Sequence, residues 1–468
     1  MASVLKISNC YSQLLSDNIE LLKILHEKMR FRERNYFHSR LYKQKLWDGY
    51  TEFFSRKTGK FLTGLLPEVK SALSYLQEDY KTEDYRENLD FIHNKIDEDF
   101  LSDEFKLYDY QVDLTNALLK HKRGVICAPT AAGKSYILVS ILKSLPPNCP
   151  TLVLANKTSL VQQNYEEIIK CGIENVGRLY GKYKEPNVIT CSTVQSLHKI
   201  EGILDKIQAV LVDEIHENMS KQPKKYLNKM KNCSIRAAIS ATPFKFGGKD
   251  LCQKWLVKGY FGPVLKSKSA GGVLSTKHLQ ERGTLSQAKC VFYPITKPEL
   301  EYEIYLDAVT RGIAENFIFH KIVTKLAKKL KGRTLILVDR IAHGDALFSM
   351  IPDVLWVQGK DDLETRKLVI EKLKKSKDDV ISISTQQIFN TGINVKVHNL
   401  INAAGGQADH QIIQRLGRGL RTADDKDVLN YYDFIFYNNK YLLNHSRKRI
   451  KILKNEGHEV VIKENVDI

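Results

Sequence analysis

Gly124-Val-Ile-Cys-Ala-Pro-Thr-Ala-Ala-Gly-Lys-Ser135 is the stretch that decides the fold of this 468-residue chain. Gly124–Cys127 reads as a short strand and Tyr136–Lys143 as a helix, with a turn between them that ends Gly-Lys-Ser. Such a turn aims backbone N–H groups at one point at a helix N-terminus, where a phosphate is stabilised. Lys134 can reach β- and γ-phosphates, the Ser135 hydroxyl suits Mg²⁺, and Gly133 permits the tight turn. Pro129, Thr130, Ala131 and Ala132 form the rest of the cradle. Ala128 stands where such loops usually open with glycine, a departure tolerated where the local dihedrals are ordinary. The expected ligands are a nucleoside triphosphate and Mg²⁺.

From residue 105 onward, short apolar β-branched runs alternate with longer amphipathic ones, the pattern of parallel strands covered by helices on both faces. The expected strands are Gly124–Cys127, Thr151–Ala155, Asn187–Cys191, Gln208–Val212 and Ile235–Ile239, then Thr334–Val338, Val354–Val357, Asp379–Ile383, Val397–Asn402 and Leu429–Tyr437. Two such series in tandem predict two α/β domains. Between them Phe244–Pro298 is rich in glycine and lysine and reads as a linker or an inserted element. The expected division is 1–98, a small α+β domain that binds DNA; 99–258, the first α/β domain; 259–297, the linker or insertion; and 298–468, the second α/β domain with a C-terminal helix.

A phosphate loop needs an acidic partner at the end of a neighbouring strand, and Val210-Leu-Val-Asp-Glu-Ile-His216 supplies one. Asp213 is expected to hold Mg²⁺ with Ser135, and Glu214 to polarise the water that attacks the γ-phosphate.

Net charge is +18, with 72 basic against 54 acidic side chains, which favours a nucleic-acid partner. Residues 1–76 carry +6, 77–104 carry −8 and 105–468 carry +20. The acidic stretch is either a short amphipathic helix or a hinge. No run approaches the ~18 apolar residues of a membrane span, and no export signal opens the chain. The eight cysteines are scattered singly, as expected of reduced packing residues in a cytoplasmic protein.

Arg30-Phe-Arg-Glu-Arg-Asn-Tyr-Phe-His38 and Tyr42-Lys-Gln-Lys-Leu-Trp-Asp-Gly-Tyr50 interleave cations with aromatics, and Asp48-Gly49 signals a hairpin turn. Arg30, Arg32, Arg34, Lys43 and Lys45 are candidate DNA contacts. The aromatics Trp47, Tyr50 and Phe54 read either as base platforms or as the core of a small β-domain. In the tail, Arg447-Lys-Arg449 with Lys451 and Lys454 is either a phosphate-contacting run or a solvated helix face.

Asp-Glu-x-His after an apolar strand resembles the superfamily 2 helicases and translocases, and further motifs follow in family order over residues 105–440. Leu107-Tyr-Asp-Tyr-Gln111 looks like the adenine-reading motif, which implies roles for Tyr108 and for Gln111 on adenine N6 and N7. Thr151–Gln163 and Thr190–Gln195 look like strand-contacting segments, implying DNA contacts at Asn156, Lys157 and Thr193. His216 and Ser240-Ala-Thr242 resemble the coupling elements that link hydrolysis to DNA movement. Thr385–Val395 resembles the fifth motif, with Thr385 on DNA and Gly392 near ATP, although Asn394 stands where Asp is common. Gln414-Arg-Leu-Gly-Arg-Gly-Leu-Arg421 matches the sixth motif, implying catalytic roles for Gln414, Arg418 and Arg421. A planar guanidinium suits charge that builds on the γ-phosphate.

The N-terminal segment with Thr63-Gly-Leu-Leu66, Tyr260-Phe-Gly-Pro263, His343-Gly344 and the helix Tyr441–Lys454 resembles the phage UvsW-type branch-migration helicases. The resemblance implies two tandem RecA-like parallel-sheet domains clasping one ATP. It also implies action on forked or four-way DNA in phage recombination or replication, replication or recombination partners, and a host-cytoplasm location. A duplex translocase without strand separation, an RNA helicase, and a nucleic-acid binder with a vestigial nucleotide site are the alternatives.

Overall fold

The computed structural model describes residues 3–87, 89–102, 105–130, 132–215, 221–244, 248–299, 304–361, 365, 368–369, 371–373, 376, 379–386, 388, 397–405 and 428–466. The chain divides into two compact units, Met1–Ala128 with Gly133–Leu274, and Ser275–Ile468 with Pro129–Ala132.

The first unit opens with β1 (Ser3–Ile7), β2 (Tyr11–Leu15), β3 (Arg30–Arg32), β4 (Tyr50–Glu52), β5 (Lys60–Leu62) and β6 (Tyr80–Asp84). They form a mixed sheet in the order β5-β2-β1-β6 and a ribbon β3-β4. Alternation in β1 sends Leu5 and Ile7 into a core shared with Phe54, Phe61 and the helices Ile19–Lys28 and Leu66–Tyr75. Asp48-Gly49 does not make a two-residue hairpin. β3 pairs with β4 across the excursion 33–49, closed by Glu33 N–H on the Gly49 carbonyl at 2.8 Å.

The parallel series of the same unit is β7 (Arg123–Cys127), β8 (Thr151–Ala155), β9 (Val176–Tyr180), β10 (Tyr183–Glu185), β11 (Ile189–Thr193), β12 (Ala209–Asp213) and β13 (Ile235–Ser240). Their order is β10-β9-β11-β8-β12-β13-β7, parallel except for the β9-β10 edge pair. β7, β8, β11, β12 and β13 each fall within two residues of their expected places, because strands buried on both faces are apolar nearly throughout. The edge strand β10 and its neighbour β9 were not anticipated, since Tyr-Lys-Glu is polar and exposed at Lys184 and Glu185 and Val-Gly-Arg-Leu-Tyr is only half-buried at Val176 and Arg178.

The small N-terminal sheet packs on this parallel sheet through the helix Leu251–Phe261. A Cβ on Gly64 would lie 2.1 Å from the Lys258 carbonyl oxygen, so the two backbones meet where side chains are absent. Buried Arg123 donates to the Asn9 carbonyl, and burial, with Arg236 adding repulsion, pushes its guanidinium pKa down to about 9.

The second unit holds β14 (Gln287–Ile295), β15 (Thr334–Val338), β16 (Leu355–Val357), β17 (Ile381–Thr385), β18 (Asn399–Asn402), β19 (Val428–Phe436) and β20 (Glu459–Ile462). They form a parallel sheet in the order β16-β17-β15-β18-β19-β14-β20. The stretch read as linker or insertion thus contains β14, an interior strand between β19 and β20, and the helix Thr276–Glu281.

The tail helix Lys440–Asn455 corrects one expectation. Arg449 is not a phosphate contact; it is buried, with Nε and one Nη on Asp433 at 2.9 and 2.8 Å. Asp433 also accepts from Asn402 and the Tyr431 hydroxyl, each at 2.9 Å. Breaking a buried ion pair by removing one partner typically destabilises by roughly 3–5 kcal/mol, so Arg449→Leu is expected to lower unfolding stability by that order. Chemical denaturation measures it; an unchanged midpoint would show the network contributes nothing.

Candidate nucleotide-binding site

All central strands of the first parallel sheet point the same way, so Cys127, Ala155, Thr193, Asp213 and Ser240 end at one edge. The carboxyl edge of such a sheet is where ligands are ordinarily held. The loop after β7 starts with Ala128, fully buried, its N–H on the Ser240 carbonyl at 3.1 Å. It ends at Gly133, whose φ of +72° precedes the helix Lys134–Lys143. Its positive φ favours glycine, and a Cβ at Gly133 would sit 2.2 Å from the Gln111 side-chain nitrogen and displace that amide. Lys134 and Ser135 form the first turn of that helix.

Glu214 joins three elements. One carboxylate oxygen accepts from Lys134 Nζ at 2.9 Å and the other from Ser240 Oγ at 2.8 Å. Its backbone has φ +50°, uncommon for a residue with a side chain, and is held by its N–H on the Ile239 carbonyl at 2.9 Å. Ser240 Oγ in turn accepts the Thr242 N–H at 3.2 Å. Lys134, the Asp213-Glu214 pair, Ser240 and Thr242 therefore share one hydrogen-bonded chain.

Asp213 is half-buried, and its carboxyl pKa is raised by burial first and by the adjacent Glu214 charge second, with Lys134 opposing. Asn164 Nδ2 donates to it at 3.4 Å. Asn164 was missed from sequence, although a lone amide on the buried face of the amphipathic helix Thr158–Lys170, between Val161 and Ile168, is a signal for it.

Gln111 is placed differently from a group poised only for adenine. It is buried; its amide oxygen accepts the Tyr108 N–H at 2.9 Å, and its nitrogen donates to the Gly133 carbonyl at 3.4 Å. The Tyr108 ring is half exposed and stacked on Tyr110 at 5.4 Å.

The residues fit a magnesium nucleotide. Thr130 Oγ1 and Thr242 Oγ1 are buried without a hydrogen-bond partner among the described residues, as expected of donors awaiting a ligand. Ser135 and Asp213 offer the hard oxygen donors that Mg²⁺ prefers, too few to strip its waters.

Of the expected DNA contacts, Asn156 and Lys157 follow β8, and Thr193 ends the adjacent β11 with its hydroxyl on Ser196 at 3.0 Å. Thr385 ends β17 in the second unit. Arg30 stacks on Tyr50 at 4.1 Å and pairs with Asp48, while Arg32 covers Tyr36 at 4.3 Å. Arg34, Lys43 and Lys45 lie exposed in the 33–49 excursion. Phe54 is core, whereas Trp47 and Tyr50 are half-buried. Ala131, His216, Gly392, Asn394, Gln414, Arg418 and Arg421 lie outside the described residues.

Residues 104–245 match the family described as the res subunit of type III restriction enzymes. The chain is 23% identical over 394 residues to the ATP-dependent DNA helicase uvsW of Enterobacteria phage T4, covering 76% of each protein. It is 24% identical over 408 residues to the DNA 3'-5' translocase XPB2 of Sulfurisphaera tokodaii, covering 77% of this chain and 89% of that one. Its fold matches a fragment of a putative HsdR subunit of a type I restriction enzyme from Vibrio vulnificus, at a TM-score of 0.55 and 17% identity, over 76% of this chain and 67% of that one. With its motifs in family order and these similarities spanning three quarters of its length, the chain resembles the superfamily 2 helicases and translocases.

Proposed function

We propose that the protein is an ATP-dependent DNA helicase or translocase that unwinds or remodels branched DNA such as forks and four-way junctions. The carrying observation is Glu214, whose carboxylate bridges Lys134 of the phosphate loop and Ser240 of the coupling segment. ATP, with Mg²⁺ on Ser135 and Asp213, would supply the phosphoanhydride whose cleavage drives movement. Lys134 neutralises phosphate charge, Glu214 accepts the proton of the attacking water, and Ser240 is positioned to pass a change at Glu214 to Thr242. The relatives' names, a DNA helicase and a DNA translocase, support DNA as the track. The phage relative supports a role in phage recombination or replication. Contacts to the backbone hold DNA without reading sequence.

The test is ATPase and unwinding measured together on single strands, linear duplex, forks, four-way junctions and RNA. Stimulation by branched DNA with strand separation is expected. Stimulation by duplex without separation favours a plain translocase, stimulation by RNA alone an RNA helicase, and no hydrolysis a vestigial site.

Arg418→Lys tests the sixth motif. A point charge cannot replace the planar fork, so DNA-stimulated turnover is expected to fall at least about 10²-fold with nucleotide affinity changed much less. Turnover within a few-fold of the parent would leave Arg421 as the remaining candidate.

A further inference from the structure

The excursion 33–49 between β3 and β4 is built as a solid projection. Its interior is Tyr36, edge-on to Tyr42 with ring centroids 4.6 Å apart, capped by the Arg32 guanidinium and closed by Gly49. A Cβ on Gly49 would sit 2.8 Å from the Tyr36 ring. The stalk is clamped as well, because Phe31 of β3 packs on Trp255 at 4.9 Å and Cys252 Sγ reaches the Phe31 carbonyl at 3.3 Å. Trp255 and Cys252 lie on the helix Leu251–Phe261, in the same compact unit as Lys134 and Glu214.

What the projection shows outward is unusual for a soluble surface. Phe37, Leu41 and Leu46 are 51%, 53% and 73% exposed, in a 17-residue segment whose other outward side chains include Arg34, Arg40, Lys43 and Lys45. Against these four cations stand Glu33 and Asp48, the latter paired with Arg30. Exposed apolar side chains interleaved along the segment with exposed cations complement a surface that is anionic at its edge and apolar at its centre. A base pair at the end of a duplex, flanked by its phosphates, is such a surface.

We propose that the 33–49 projection is a strand-separating wedge: Phe37, Leu41 and Leu46 press on the last base pair of a DNA fork while Arg34, Arg40, Lys43 and Lys45 hold the diverging backbones. This rests on the DNA-helicase reading above and deepens it. Because the stalk is fixed to the unit that carries Lys134 and Glu214, movement of that unit along DNA drives the wedge. Apolar side chains that unstack a step need no hydrogen-bond pattern, so the wedge acts on any sequence.

The test uses the full chain and its triple variant F37A/L41A/L46A, whose exposed side chains can be truncated without opening the core. The substrate is a DNA fork carrying 2-aminopurine at the first paired position. Single-strand-stimulated ATPase is expected to be unchanged, while fork unwinding falls at least about tenfold, the loss expected when a base contact is truncated. Binding without ATP should raise 2-aminopurine fluorescence in the parent and not in the variant, and F37W alone should retain unwinding. Equal unwinding by variant and parent, or ATPase and unwinding falling together, would overturn the wedge. A parent that hydrolyses ATP on DNA but leaves 2-aminopurine unperturbed would overturn it too, with the helicase reading intact. A parent without DNA-stimulated hydrolysis would sink that reading and the wedge with it.

Discussion

Lys134→Ala is expected to reduce DNA-stimulated ATP turnover by at least about 10²–10³-fold, the range for removing one charge-stabilising donor from a phosphoryl-transfer site. The structure adds a second consequence. Lys134 Nζ is bound to Glu214, and it is the cation that opposes the rise in the Asp213 pKa. Without it, two adjacent carboxylates remain where one is already pushed up by burial, so the Asp213 pKa rises further. Only the ionised carboxylate binds metal, so as pH falls the variant should lose metal-dependent nucleotide binding at a higher pH than the parent. DNA affinity measured without nucleotide should be retained, since Lys134 sits at the phosphate loop. Near-normal hydrolysis in the variant would remove Lys134 from the site.

Glu214→Gln is expected to bind ATP and fail to hydrolyse it, with turnover down by about 10²–10⁴-fold, the contribution typical of a positioned general base. An amide keeps the size of the carboxylate, so the left-handed backbone at residue 214 and its bond to Ile239 are undisturbed. It cannot take the water's proton. Its oxygen can still accept from Ser240 or from Lys134, so the fold of the edge should survive. Equilibrium nucleotide binding and single-turnover hydrolysis separate the outcomes; loss of binding with an intact fold would make Glu214 a structural anchor for Lys134.

The strand–turn–helix around Gly133-Lys-Ser135 was legible because its signal is local: one glycine with positive φ, one lysine and one hydroxyl within three residues, between a strand and a helix. The buried strands β8, β11, β12 and β13 were legible for a related reason, since burial on both faces leaves no exposed polar position to confuse the period. β14 was not. It carries exposed Gln287 and Lys289 and the proline of position 294, in a glycine- and lysine-rich neighbourhood, and its partner β19 begins at Val428. Pairing across that distance leaves no local trace, because only the neighbouring strand fixes the register.

The same division runs through single residues. The sequence alone singled out Lys134, Asp213 and Glu214 by residue type and spacing after a strand, and the structure brings Lys134 and Glu214 together at 2.9 Å. Only the tertiary structure decided that Glu214 ties Lys134 to Ser240, that Asn164 reaches Asp213, and that Gln111 supports the Gly133 carbonyl. It also decided that Arg449, one cation among several in a basic run, faces a buried Asp433 rather than solvent. A side chain's charge is written in the sequence, but its dielectric surroundings and its partner are set by whichever element folds across from it.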